Sequence, residues 1–106
     1  MIEFEIEVKD RKIADSLVLS KKPEGVEVKI FVELRKALEI EDLILVVITA
    51  ALSIPPIILA QWLYDKLIEK NCKSITIDYE EMEVTVENLR EKIIKKHKKW
   101  KINKKS

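Results

Sequence analysis

The sequence predicts an α+β fold, a four-stranded and mainly antiparallel sheet covered on one face by helices. Three observations lead there. Apolar residues recur at every second position in several short stretches, which is the period of a half-buried strand. Between those stretches the spacing changes to that of a helix. An uncharged central segment is also large enough to cover the apolar face that the strands create. The chain has 106 residues, 47% hydrophobic and 37% charged, enough for one core and too apolar for wholesale disorder.

The first strand is Met1 to Lys9, with Ile2, Phe4, Ile6 and Val8 on one face and Glu3, Glu5, Glu7 and Lys9 on the other. A short helix over Asp10–Ser20 follows, capped by Asp10 and carrying Ile13, Ala14, Leu17 and Val18 on one side. Lys21-Lys22-Pro23-Glu24-Gly25 reads as a turn. The second strand turns Val26, Val28, Ile30 and Val32 inward, and Phe31 is its outward apolar exception. Ser74 to Val86 reads as a hairpin with Glu80-Glu81 as its turn. A last helix opens at Glu87 or Asn88, carries Leu89, Ile93 and Ile94, and frays into lysines.

The centre admits more than one reading. Leu43 to Ala60 is a run of 18 residues without a charge. Ser53 can cap a helix with Pro55 and Pro56 in its first turn, running to about Lys70. The preceding stretch is apolar all round. Leu43–Thr49 is either a buried helix or a central strand, and the second choice makes the fold α/β. The whole segment also has the length of a membrane span over about 43–63, with Trp62 and Tyr64 at the interface and a cytoplasmic C-terminus. Pro55-Pro56 and the sheet's need of a cover favour a core.

Composition removes several function classes. Gly25 is the lone glycine, so no glycine-rich phosphate loop exists. One cysteine, Cys72, and one histidine, His97, cannot build a disulfide or the usual zinc sets. Neither a charged n-region nor a signal-peptide h-region is read around the first strand, so secretion is not expected and a reducing, cytoplasmic compartment is. The Lys/Glu bias with a single Gln61 is a composition of thermophiles and of AT-rich genomes alike. No catalytic residue, cofactor or metal is expected, because His97 stands among lysines, Cys72 has no sequence partner, and Asp78, Glu81 and Glu83 read as a solubilising sheet face.

Charge is unevenly placed. Residues 1–89 hold 11 Lys/Arg and 18 Asp/Glu, whereas residues 90–106 hold nine Lys/Arg and one Asp/Glu. The expected organisation is an α+β domain over 1–94 and a basic, flexible tail over 95–106. Lys95, Lys96, Lys98, Lys99, Trp100 and Lys101 are the candidate recognition residues of that tail, for an acidic protein or for nucleic acid. Ile57, Ile58, Trp62 and Leu63 are the candidate apolar helix interface, for a homo-oligomer or for the membrane.

The order strand, short helix, strand, apolar segment, helix, hairpin carries a resemblance. With Asp42-Leu43-Ile44-Leu45-Val46-Val47, Ala60-Gln61-Trp62-Leu63, Ile75-Thr76-Ile77 and Glu83-Val84-Thr85-Val86, the chain resembles the effector-associated constant components, adaptors of bacterial conflict systems. The resemblance implies a non-enzymatic partner of a separate effector protein. The expected function is thus a non-catalytic interaction module, an adaptor or accessory subunit. A small membrane-anchored protein and a nucleic-acid-binding accessory protein are the rival readings.

Overall fold

The computed structural model describes residues 1–35 and 42–105. Its elements are β1 (Ile2–Val8), α1 (Arg11–Leu19), β2 (Val26–Arg35), β3 (Asp42–Ala50), α2 (Pro56–Glu69), β4 (Ser74–Ile77), β5 (Glu80–Glu83) and α3 (Val86–Lys105). The fold is α+β as expected, but the sheet has five strands rather than four. Its order is β2-β3-β1-β4-β5, and each neighbouring pair is antiparallel. The Leu43–Thr49 stretch is the added strand, β3. It lies inside the sheet, yet β1 holds the middle place and no parallel pair makes the fold α/β.

β-Branched side chains explain why this stretch is a strand. Ile44, Val46, Val47, Ile48 and Thr49 fit a pleated surface better than a helix. Ile44, Val46, Ile48 and Ala50 are buried on the helix-covered face, while Leu43, Leu45, Val47 and Thr49 are half-buried on the other. The uncharged segment is therefore a strand, a turn through Ala51–Pro55 and a helix, not one helix over 43–63. Among the described residues no helix is long and apolar enough to cross a membrane.

Local chemistry sets the helix ends. Asp10 caps α1 as its sequence position predicts, its Oδ1 accepting from the Lys12 N–H at 2.8 Å. Ser53 does not cap α2. The N-cap is Pro55, without a side-chain bond, and Pro56 takes the first helical position, where a missing N–H costs nothing. At the other end Asn71 adopts φ 57°. Its N–H donates to Ile68 O, and the Cys72 N–H donates to Leu67 O, closing a Schellman motif with asparagine instead of glycine. Helix α3 begins at Val86, with Thr85 Oγ1 accepting from the Asn88 N–H at 3.0 Å, and continues without a break across the expected 94/95 boundary.

Two strand expectations need correction. In β2 the register against β3 slips between Ile30 and Val32, so Phe31 is a bulge residue and Val32 has Leu45 as its partner. The inward placement expected for the Val32 side chain lies outside the described residues. The hairpin turns at Asp78-Tyr79, not at Glu80-Glu81, with φ of 48° and 69°. Both central residues at positive φ make the turn whose twist matches the flanking strands. Ile75 then faces Met82 and Ile77 faces Glu80, β5 ends at Glu83, and Val86 belongs to a helix.

The core lies between one sheet face and the helices. Ile2, Phe4, Ile6 and Val8 of β1 meet Leu17 of α1, Leu59, Leu63 and Leu67 of α2, and Leu89 and Ile93 of α3. No polar or charged residue is buried among the described residues. The opposite face of the sheet carries none of the three helices.

Candidate interaction surfaces

The uncovered sheet face is built by register. Glu3, Thr49 and Glu27 form one cross-strand row, and Glu5, Val47 and Lys29 form the next. A further row sets Glu7 beside Leu45 on one side and Thr76 on the other, with Glu81 beyond Thr76. The apolar line of Leu43, Leu45 and Val47 thus runs along β3, half-exposed, with the carboxylates of Glu5 and Glu7 along its β1 side and Lys29 beside Val47 on the β2 side. Phe31, 70% exposed on its bulge, stands at the β2 edge. Period-two alternation marked Phe31 as outward from the sequence. The Leu43–Val47 line was hidden, because a run apolar on both faces has no period to read.

The hairpin turn and α3 are clamped together. Asp78 Oδ1 accepts from the Glu5 N–H at 2.9 Å, and its Oδ2 pairs with Lys96 Nζ at 2.8 Å. The Asp78 N–H in turn donates to Glu5 O. One helical turn earlier, Lys92 Nζ pairs with Glu80 Oε2 at 2.9 Å. That bond holds the Glu80 carboxyl below its ordinary pKa. Lys96 Nζ also stands 5.9 Å from the centre of the Phe4 ring. Tyr79 is exposed at the turn, and interaction of its hydroxyl with the Glu5 carboxylate raises the phenol above its usual value.

The sequence-predicted residues are therefore divided by the fold. Lys96 belongs to the clamp, whereas Lys95, Lys98 and Lys99 are exposed on α3. Trp100 and Lys101 continue the α3 backbone, and their side chains lie outside what the structure describes. On α2, Leu63 is buried in the chain's own core, while Ile57 and Ile58 are 44% and 50% exposed. Trp62 is half-buried, and its Nε1 donates to Lys21 O at 2.9 Å, tying α2 to the turn after α1.

The remaining candidates hold little reactive geometry. The Cys72 Sγ donates to Ser74 O at 3.2 Å, and burial is the largest of the effects that raise its pKa. It lines a cleft where β1 and β4 diverge, with Glu7, Lys9, Asp10, Lys73 and Glu81 around it. His97 faces Ser53, Ile54 and Pro56 across a shallow depression beside the start of α2. Among the described residues no three His, Cys, Asp or Glu side chains stand close enough to hold a metal ion together. No protein-family model, no curated protein and no solved structure matches the chain.

Proposed function

We propose that this chain is a non-catalytic interaction module, an adaptor or accessory subunit, which holds a protein partner on the uncovered face of its sheet. The observation that carries the reading is the line Leu43, Leu45 and Val47, left open by all three helices and bordered in register on its β1 side by Glu7 and Glu5, with Lys29 beside Val47 on the β2 side. An apolar line with an acidic border along β1 suits a partner segment that presents apolar residues with cations on that side. The resemblance to conflict-system adaptors supports the same class and suggests a separate effector as the partner.

The test compares wild type with Leu45→Lys/Val47→Lys in affinity capture from an extract of the source organism, with circular dichroism as the control for folding. The expected result is one protein retained in stoichiometric amount by wild type and lost from the folded variant. Equal retention by both, or retention of nothing, overturns the proposal. Retention of nucleic acid that vanishes in Lys95→Glu/Lys98→Glu/Lys99→Glu transfers the function to α3 instead.

A further inference from the structure

The two edges of the sheet differ. The β5 edge is short, four residues with Glu80, Glu81 and Glu83 among them, and such charge repels another strand. The β2 edge is ten residues long and rich in Val, Ile and Phe. Its bulge at Phe31 disrupts the far half, but Val26–Ile30 keeps an unbroken register with β3.

Among the described residues, the free backbone groups of Val26–Ile30 follow from that register. The Ala51 N–H donates to Gly25 O at 3.0 Å, so the backbone of Gly25 points toward β3. Strand residues alternate, so Glu27 and Lys29 also direct their backbone groups to β3, while Val26, Val28 and Ile30 direct theirs outward. The Val26 N–H is taken by Pro23 O. The outward set is then the Val26 carbonyl and both backbone groups of Val28 and of Ile30.

We infer that the occupant of this edge is a second copy of the chain, paired antiparallel with β2 on β2 about a two-fold axis at Val28. In that register each Val28 donates to and accepts from the partner's Val28. Each Ile30 N–H donates to the partner's Val26 carbonyl. Glu27 stands directly opposite the partner's Lys29, and Lys29 opposite the partner's Glu27, both pairs on the uncovered face. Val26 and Ile30 oppose each other on the covered face, which extends both cores. Phe31 reaches the position beside the partner's Gly25, where no side chain obstructs an aromatic ring. The sequence Val26-Glu27-Val28-Lys29-Ile30 is thus self-complementary in charge and in face, as an isologous contact requires.

The contact is at the small end of interface sizes, so the dimer forms and dissociates within a working concentration range. It uses an edge, not the face proposed for the partner protein, and stands or falls separately from that reading. Sedimentation velocity over a concentration series should show wild type moving from 12.4 kDa toward twice that mass. Glu27→Lys alone and Lys29→Glu alone each oppose like charges twice across the axis, and each should weaken dimerisation about tenfold or more. An equimolar mixture of the two variants restores both opposite-charge pairs and should recover the dimer, as should Glu27→Lys/Lys29→Glu in one chain. Both positions are exposed, so the fold is retained, and circular dichroism checks it. A wild type that stays monomeric throughout overturns the inference. So does a dimer indifferent to the single changes, or a mixture no better than its components.

Discussion

The Oγ of Ser20, at the C-cap of α1, is buried and has no hydrogen-bond partner among the described residues. An unpaired buried hydroxyl costs stability, so Ser20→Ala should raise it by about 1 kcal/mol in denaturant titration. Gly25 behaves in the opposite sense. Its φ is 89°, and an added Cβ would lie 3.1 Å from the Ala51 Cβ and 3.3 Å from the Ile54 Cδ1. Gly25→Ala should therefore cost about 1 to 2 kcal/mol by the same measurement, from strain and from crowding together. The glycine announces a turn in the sequence, and so does the Asp10 cap. The left-handed Asn71 and Asp78 do not announce themselves, because Asn and Asp fit many loop conformations equally well.

At the scale of elements, the clamp between the β4–β5 turn and α3 decides how the basic end of the chain behaves. Glu80 has a lowered carboxyl pKa because of Lys92. A carboxylate lowered in the folded state stabilises the protein above its unfolded pKa, and that contribution is lost as pH falls through the folded value. The stability difference between wild type and Lys92→Met should hold near neutral pH and shrink below about pH 4, in the range where free glutamate titrates. Asp78 is more enclosed, and Asp78→Ala should cost about 1 to 3 kcal/mol because it frees a backbone N–H and a lysine together. Truncating the chain after Ile94 would remove Lys96 as well as the exposed lysines, so it confuses recognition with stability. Changing Lys95, Lys98 and Lys99 leaves the clamp intact. Alternation in the sequence found the first hairpin strand with Ile75 and Ile77 inward. It carried Tyr79 inward too and ran the second strand through Met82, Val84 and Val86, whereas Tyr79 is exposed, β5 ends at Glu83 and Val86 opens α3. It could not place the turn, because sliding it by two residues leaves the faces of the strands unchanged.

For the whole molecule, the amphipathic alternation of β1 and the helical spacing in α1 and α3 were enough to show an α+β fold. In the central segment the prolines and the extent to about Lys70 were enough for α2. Leu43–Thr49 was not legible, since it is apolar on both faces and only tertiary pairing separates a strand from a helix there. Burial now separates residues that looked alike: Leu63→Ala should cost about 2 to 5 kcal/mol in thermal or chemical unfolding, and exposed Ile58→Ala less than about 1. The middle place of β1 has a kinetic consequence. Its neighbours are far along the chain, with Ile2 against Ala50 and Ile6 against Ile77. Two long loops must close before the innermost strand is bonded on both sides, and that entropy is spent before its contacts form. Refolding should accordingly be slow for a chain of this length. The amides of Phe4 and Ile6, which face Ile48 and Val46 of β3, should be among the last to exchange with deuterium, opening only when the whole sheet does.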